Sequence, residues 1–419
     1  MKQIRYRHFI DKLNAISLLG IAFFIPFNSF VNRYILGVFI ATSFMLYGIR
    51  IGYPQIKKYK GLNCLALFFL IYAMSFLYTQ NLSLAWIDLE KKLPLFLFPL
   101  ALIILKPGQN KIYTLYGAFL AGIFSVTLIC AGYFIFHTLS DTHFHRVFMN
   151  HPFYQMYSKF YIFGNTNYYA VYLNMGVLLM LGILGSNSYK ITKKWMKWLM
   201  YVGLFLLVGL SMVISSRSGI IAMVILLVFS VSYLVKIHYF RFVSLALLIV
   251  AGLYIARNYR FNNYIQLFDS MIHSSRQIKE KDLLEKRTLR LVFWKASIEV
   301  IRENIWFGVG SGDVKNQIKE KYKEMGHYEK LHENDDPHNQ FLRTFIATGL
   351  PGLLALAGVF VYGFSLGIQN KDYFILGFLI LMVIHLLFKS MLFRESGVMF
   401  FSFFYGLLYT ANFRRNANA

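Results

Sequence analysis

Long, uninterrupted apolar runs constrain this chain more than anything else in it. They cover 13–30, 62–78, 112–136, 198–214, 220–235 and 374–388. About 17–25 apolar residues make a helix long enough to cross a bilayer core of roughly 30 Å. The apolar residues follow one another and do not alternate with polar ones, and a chain inside hydrocarbon must satisfy its backbone polar groups by itself, which a helix does. Of the 419 residues, 57% are hydrophobic and only 15% charged, which leaves too few polar residues to coat a soluble globule of this size. The sequence therefore predicts an all-α, polytopic integral membrane protein of about twelve transmembrane helices. We place the spans near 13–31, 34–50, 62–79, 93–105, 112–137, 166–185, 198–214, 219–235, 242–256, 342–366, 373–393 and 396–413. The segment 81–92 before the short fourth span reads as a separate interfacial helix.

A net charge of +24 in a soluble protein would suggest nucleic acid as a partner. Here the basic residues sort by loop instead. With the N-terminus inside, the inside loops hold nineteen Lys and Arg, and the short outside segments hold Arg33, Lys91, Lys92, Arg146, Lys159 and Arg217. That bias orients the chain with both termini cytoplasmic and accounts for the charge by topology, with no nucleic acid involved. Cys64 and Cys130 fall inside apolar spans and read as packing residues. The basic start followed by 13–30 imitates a signal peptide, but no small-residue cleavage site follows, so it reads as an uncleaved first span.

Three regions result: an N-terminal bundle of about nine spans (1–256), an extracytoplasmic segment (257–341) and a C-terminal bundle of about three spans (342–419). The middle segment carries fifteen Lys and Arg against thirteen Asp and Glu, and its apolar residues recur with helical period. It predicts at least two amphipathic helices across the outer mouth of the bundle. A second outer loop, 138–164, carries His143, His145 and His151 among aromatic residues.

Several residues on that side could carry chemistry. Arg217 sits in Ser215-Ser216-Arg217-Ser218-Gly219, a hairpin so tight that the guanidinium must lie at or below the membrane surface. Either it snorkels to headgroups or it clamps a phosphate with its planar fork. Arg290 precedes Trp294 by four residues, which puts both on one helix face. In Asp336-Pro337-His338-Asn339, the histidine is suited by its neutral-range titration to act as a base, while Asn339 or Asp336 is equally suited to cap the following helix. A metal site from His327, His332 and His338 matches no standard zinc spacing. Gly308-Val309-Gly310-Ser311-Gly312 has no preceding strand and no Lys-Ser/Thr after it, so it reads as a flexible turn and not as a nucleotide loop. Glu395, beside Arg394 in the last outer turn, reads as an ion-pair partner or as a carboxylate of the same cavity.

In order, these pieces resemble the O-antigen ligase and O-antigen polymerase superfamily. Phe163-Gly164-Asn165-Thr166-Asn167 resembles its Gly-Asn-x-Asn entry to a mid-chain span, and Ser216-Arg217-Ser218-Gly219 its Ser-Arg hairpin. Arg290-x-x-x-Trp294 with Gly308-Val309-Gly310 is similar to its loop motif. His338-Asn339-Gln340-Phe341-Leu342 with Gly349-Leu350-Pro351-Gly352 is similar to its His-Asn segment. The resemblance is strong over roughly 160–360. It implies a metal-independent, inverting glycosyltransferase of the bacterial inner membrane, without cofactor, that faces the periplasm. The implied donor is a polyprenyl-diphosphate-linked glycan, and the acceptor is a lipid A-core sugar for a ligase or a growing glycan for a polymerase. Arg217 and Arg290 are then the implied diphosphate ligands, His338 or Glu395 the implied catalytic base, and Asn165, Asn167, Trp294 and Asn339 supporting residues. The family often has a second histidine just before its His-Asn pair; here Asp336-Pro337 stands instead. A lipid-linked saccharide transporter is the reading from another class; charged residues gathered at one surface, without internal repeats, speak against it.

Overall fold

The computed structural model describes residues 2–27, 29–47, 59–105, 109–140, 161–185, 193–214, 217–234, 286–325 and 336–417. Among these, all regular structure is helical. The helices are α1 (Lys2–Phe24), α2 (Ser29–Tyr47), α3 (Lys60–Met74), α4 (Leu82–Leu105), α5 (Gln109–Ser140), α6 (Thr166–Gly185), α7 (Lys194–Val213) and α8 (Arg217–Leu234). After the gap come α9 (Lys286–Glu303), α10 (Val314–Glu324), α11 (Gln340–Gln369), α12 (Tyr373–Phe388) and α13 (Glu395–Ala417). Among the described residues, five stretches are long and apolar enough to cross a membrane: Lys60–Leu77, Lys111–Phe136, Thr166–Gly185, Lys194–Met212 and Gln340–Gln369. Three shorter apolar helices, Phe30–Leu46, Ser218–Leu234 and Tyr373–Phe388, accompany them. The expected span at 242–256 lies outside the described residues, as do His143, His145, His151, His327 and His332.

The separate interfacial helix expected at 81–92 does not form. Leu82–Leu105 is one helix that continues through Pro94 and Pro99. Neighbouring helices bury its apolar side chains Leu95, Phe98, Ala101 and Leu102, which offsets the backbone hydrogen bonds that the two prolines remove.

Two kinds of contact hold the bundle. In lipid, apolar burial between helices adds little, so buried polar side chains and close packing carry association. Asn14 on α1 shows the first kind: its Nδ2 donates to the Phe39 carbonyl at 3.2 Å, to Thr42 Oγ1 at 2.9 Å and to Ser43 Oγ at 2.8 Å, all on α2. The second kind centres on α13, whose Phe400, Phe401, Phe403 and Phe404 are fully buried. Phe404 meets Phe119 of α5 edge-on at 4.8 Å, Phe400 meets Tyr172 of α6 at 5.3 Å, and Phe401 stacks on Phe378 of α12 at 5.9 Å. By contrast, α7 turns Trp195, Trp198, Leu199, Phe205 and Leu206 outward. A bilayer, and not water, suits such a face.

Helix direction alternates. Tyr161, just before α6, donates to the Pro26 carbonyl after α1, and Tyr168 of α6 donates to the Met391 carbonyl beyond α12. Glu395 at the start of α13 pairs with Arg33 near the start of α2. At the other end, Gly61 donates to Tyr409 and Asn370 to the Asn412 carbonyl. The starts of α2, α6, α8, α11 and α13 therefore share one end of the bundle, and Lys2 and the end of α13 lie at the other. The chain leaves α8 at the far end and reappears in α9 at the near end.

The two expected amphipathic helices are present as α9 and α10. On α9 the buried residues Phe293, Ala296, Ser297, Val300 and Ile301 follow helical spacing, whereas Ile298 is exposed. On α10, Val314, Ile318 and Tyr322 are buried, and Tyr322 stacks on Phe293 at 4.9 Å. Burying a side chain as large as Phe293 stabilises by about 1.5–3 kcal/mol.

Candidate functional site

The near end of α11 gathers the most polar chemistry. Asn339 caps the helix, its Oδ1 accepting from the amides of Phe341 at 2.9 Å and Leu342 at 3.1 Å. That satisfies donors which the first turn of any helix leaves open. Just before it, His338 has a φ of 51°, in the left-handed region where a non-glycine residue costs on the order of 1 kcal/mol or more. Three bonds hold it there. Trp294 Nε1 of α9 donates to the Pro337 carbonyl at 2.7 Å. The His338 amide donates to Asp336 Oδ2 at 3.2 Å. Arg343 NH1, one turn into α11, donates to Asp336 Oδ1 at 2.5 Å. Arg343 is itself buried, with its guanidinium lying 3.4 Å from the centroid of the Phe393 ring. Burial works to raise the Asp336 titration, but Arg343, the Ser390 hydroxyl and His338 together outweigh it and hold the carboxyl below its ordinary range.

Gln340 ties this segment to the turn before α13: its Oε1 accepts from the Leu392 amide at 2.8 Å, and its Nε2 donates to Thr344 at 3.1 Å. The same turn meets α6 through Tyr168, which brings Asn165 and Asn167 to the same end. These two asparagines form the entry to α6, where Asn165 Oδ1 accepts from the Asn167 amide at 3.0 Å and from its side chain at 2.9 Å.

Arg217 is the first residue of α8, and its side chain lies outside the described residues. The backbone fixes its depth. Asn174 of α6, fully buried, donates to the Gly219 carbonyl at 2.9 Å and accepts from Ser211 of α7 at 3.3 Å. Asn174 lies two turns into α6, so the Gly219 carbonyl in the first turn of α8 sits about 12 Å below the start of α6. Arg290 lies on α9 one turn before Trp294, again with its side chain outside the described residues. Glu395 does not pair with Arg394. Arg33 takes both of its oxygens, Nε at 2.9 Å and NH2 at 2.6 Å, while Arg33 NH1 reaches Glu90 at 2.9 Å. Trp294, Pro337, His338 and Asn339 are thus brought together, and Glu395 is held in a separate ion-pair group.

Sequence reasoning missed Arg343, although an arginine inside a predicted span is itself a signal. It also missed Lys92 of α4, fully buried, which pairs with Asp88 at 2.6 Å and lies 4.2 Å from the Tyr72 ring centroid. Among the described residues, no group of three or more His, Cys, Asp or Glu stands close enough to hold a metal ion.

The glycine run 308–312 is pinned, contrary to the flexible turn expected of it. Asp313 accepts from Thr79 Oγ1 at 2.7 Å and from the amides of Gln80 at 2.6 Å and Asn81 at 3.1 Å, which anchors the α9–α10 turn to the α3–α4 turn. On the other side the run enters a break in α11. Pro351 has no N–H for the Ala347 carbonyl, and Gly349 departs from helix at φ 63°, ψ −160°. The freed carbonyls are taken over: Val309 N donates to Ile346 O at 2.8 Å and Gly310 N to Ala347 O at 3.0 Å. The displaced Leu350 amide donates to Ile305 O at 2.9 Å. A Cβ on Gly308 would stand 2.4 Å from Ile346 O, so only glycine allows this approach. A polar cleft of about 240 Å³ beside it is lined by Tyr78, Gln80, Asn304, Gly308, Val309, Asp313 and Gln317, and includes none of the candidate residues.

No curated protein matches the chain. Residues 202–357 match the family described as O-antigen ligase, a stretch that runs from within α7 through Arg217, Arg290, Trp294 and His338 into α11. The match covers the stretch in which the Ser-Arg, Arg-x-x-x-Trp and His-Asn motifs fall, and it makes that part of the chain similar to this family.

Proposed function

We propose that this chain is an O-antigen ligase-like, inverting glycosyltransferase. It moves a glycan from a polyprenyl-diphosphate-linked donor to a lipid A-core sugar at the periplasmic face of the bacterial inner membrane. The observation that carries the reading is the single family match covering Arg217, Arg290 and His338, three residues whose chemistry suits one reaction. His338, the base in this reading, takes the proton of the acceptor hydroxyl as its oxygen bonds to the anomeric carbon. The bond from that carbon to the diphosphate breaks, and the diphosphate leaves with the electron pair. Arg217 and Arg290 stabilise the charge that builds on it, work that positioned cations can perform without a metal ion. The lipid tail stays in the bilayer, which suits an arginine hairpin set below the start of α6. Glu395, both of whose oxygens are held by Arg33, stands outside the proton transfer in this reading.

Deleting the gene in its host and separating the surface lipopolysaccharide tests the proposal. Core molecules without any long chains are the expected result. Core molecules capped by a single repeat would make the chain a polymerase. Glycan retained inside the cell would make it a transporter and overturn the reading.

A further inference from the structure

We propose that Asp336 and Arg343 are the positioning pair of this site: Asp336 faces the Nδ1 side of the His338 imidazole, leaving Nε2 as the proton acceptor, and Arg343 fixes Asp336. The inference rests on the reading of His338 as the base. Asp336 Oδ2 lies 3.8 Å from His338 Nδ1 and accepts the His338 backbone amide at 3.2 Å. One oxygen thus faces both ends of the same residue. The other oxygen belongs to Arg343, and Arg343 is clamped between Asp336 at 2.5 Å and the Phe393 ring at 3.4 Å. A base oriented by a third group is the arrangement that recurs wherever an imidazole takes a proton in a fixed direction. The 3.8 Å separation is longer than a hydrogen bond, and such contacts tighten as substrate binds.

Two further features fit this role. First, the left-handed backbone of His338 is costly and persists only because Trp294, Asp336 and Asn339 hold the residues around it. Second, Asp336 is mostly buried and yet held ionised by Arg343 with the Ser390 hydroxyl and His338, so it remains a carboxylate when the imidazole gains its proton. Among the described residues, other charged or titratable groups stand close to the pair. On α4, Lys91 lies 5.3 Å from the Phe393 ring centroid, and both Lys91 and Lys92 sense Arg343, as does the buried hydroxyl of Tyr72 on α3. On α6 there is the buried hydroxyl of Tyr168, which senses Asp336, Arg343 and Arg394. In the turn before α13 there is Arg394, whose guanidinium lies 5.8 Å from the Phe393 ring centroid. From α9 the described contact is Trp294, which does not titrate.

The test uses the full-length protein in detergent with a lipid-linked donor and a purified core acceptor, and compares Asp336→Asn, Arg343→Lys and His338→Ala. Asparagine keeps an acceptor for the His338 amide but removes the negative charge. Asp336→Asn should therefore lower kcat by about 10²-fold, with KM for donor and acceptor within twofold of wild type. The imidazolium loses its partner, so the limb on which the rate rises with pH should move to lower pH. Arg343→Lys keeps charge but not the fork, and should lower kcat less, about tenfold, with the limb in place. An Asp336→Asn enzyme with wild-type kcat and an unmoved limb overturns the pairing. So does a loss of kcat in both variants that tracks a loss of thermal stability while the limb stays fixed. If His338→Ala itself retains wild-type turnover, the reading of His338 as the base fails, and that failure is distinct because it appears in the control alone.

Discussion

Lysine and arginine carry the same charge but offer phosphate different geometry, and this difference isolates the role proposed for Arg217 and Arg290. Each planar fork can give two parallel charge-assisted hydrogen bonds, each worth about 1.5–3 kcal/mol, and lysine, a point charge, keeps about one of the two. Arg217→Lys and Arg290→Lys should therefore each lower transfer about 10–10²-fold while thermal unfolding of the purified protein stays unchanged. Wild-type turnover in both variants would return the two arginines to ordinary surface roles. At this scale the sequence was informative where a residue is costly or conformationally odd. A histidine beside a helix start and an arginine in a tight hairpin stand out from one dimension alone. Arg343 did not, because its function depends on Asp336 seven residues earlier and on Phe393 fifty residues later. Glu395 misled in the opposite way: adjacency to Arg394 suggested a local pair, and its partner is Arg33, 362 residues away in the chain.

Among the elements, α11 shows how two motifs that look unrelated depend on each other. The glycine run after α9 and the Gly349-Leu350-Pro351-Gly352 break exchange backbone hydrogen bonds. Gly308 holds φ +70° at a point where any Cβ meets the Ile346 carbonyl. Gly308→Ala should destabilise the protein by about 1–3 kcal/mol, seen as a lower midpoint in thermal unfolding followed by tryptophan fluorescence. Gly37→Ala, where a Cβ meets nothing within 4 Å, serves as the control and should leave the midpoint unchanged or slightly higher. An unchanged midpoint for Gly308→Ala would mean that the break in α11 tolerates a wider opening. Hydropathy located most of the helices here because length and apolarity are local properties. It separated 81–92 from the fourth span because Asp88, Glu90, Lys91 and Lys92 look like a surface. The structure instead buries the Asp88–Lys92 pair within one continuous helix.

For the whole molecule, two separate readings bear on topology: the charge bias assigns the sides, and the contacts between helices say which helix ends share one. One counts lysine and arginine in loops; the other follows which helix ends touch. Together they predict that α10 is periplasmic and the start of α7 cytoplasmic. In a cysteine-free background, Lys319→Cys should react with a membrane-impermeant maleimide in cells whose inner membrane is intact, and Lys193→Cys should react only after lysis. The reverse pattern would invert the protein and move the proposed chemistry to the wrong compartment. The contacts across this end were not legible in the sequence, because nothing local to 286–325 announces that it is tied down at Pro337, at Thr79–Asn81 and at the broken carbonyls of α11. Those three ties set the unit in which this part of the protein can be exchanged with a relative. A chimera that imports only 286–325 would bring foreign amides to carbonyls they were not shaped to meet. One that imports 286–352 together with the α3–α4 turn carries both halves of every bond. Natural variation in donor or acceptor should therefore arrive as substitutions along the whole block, with few insertions at its joints.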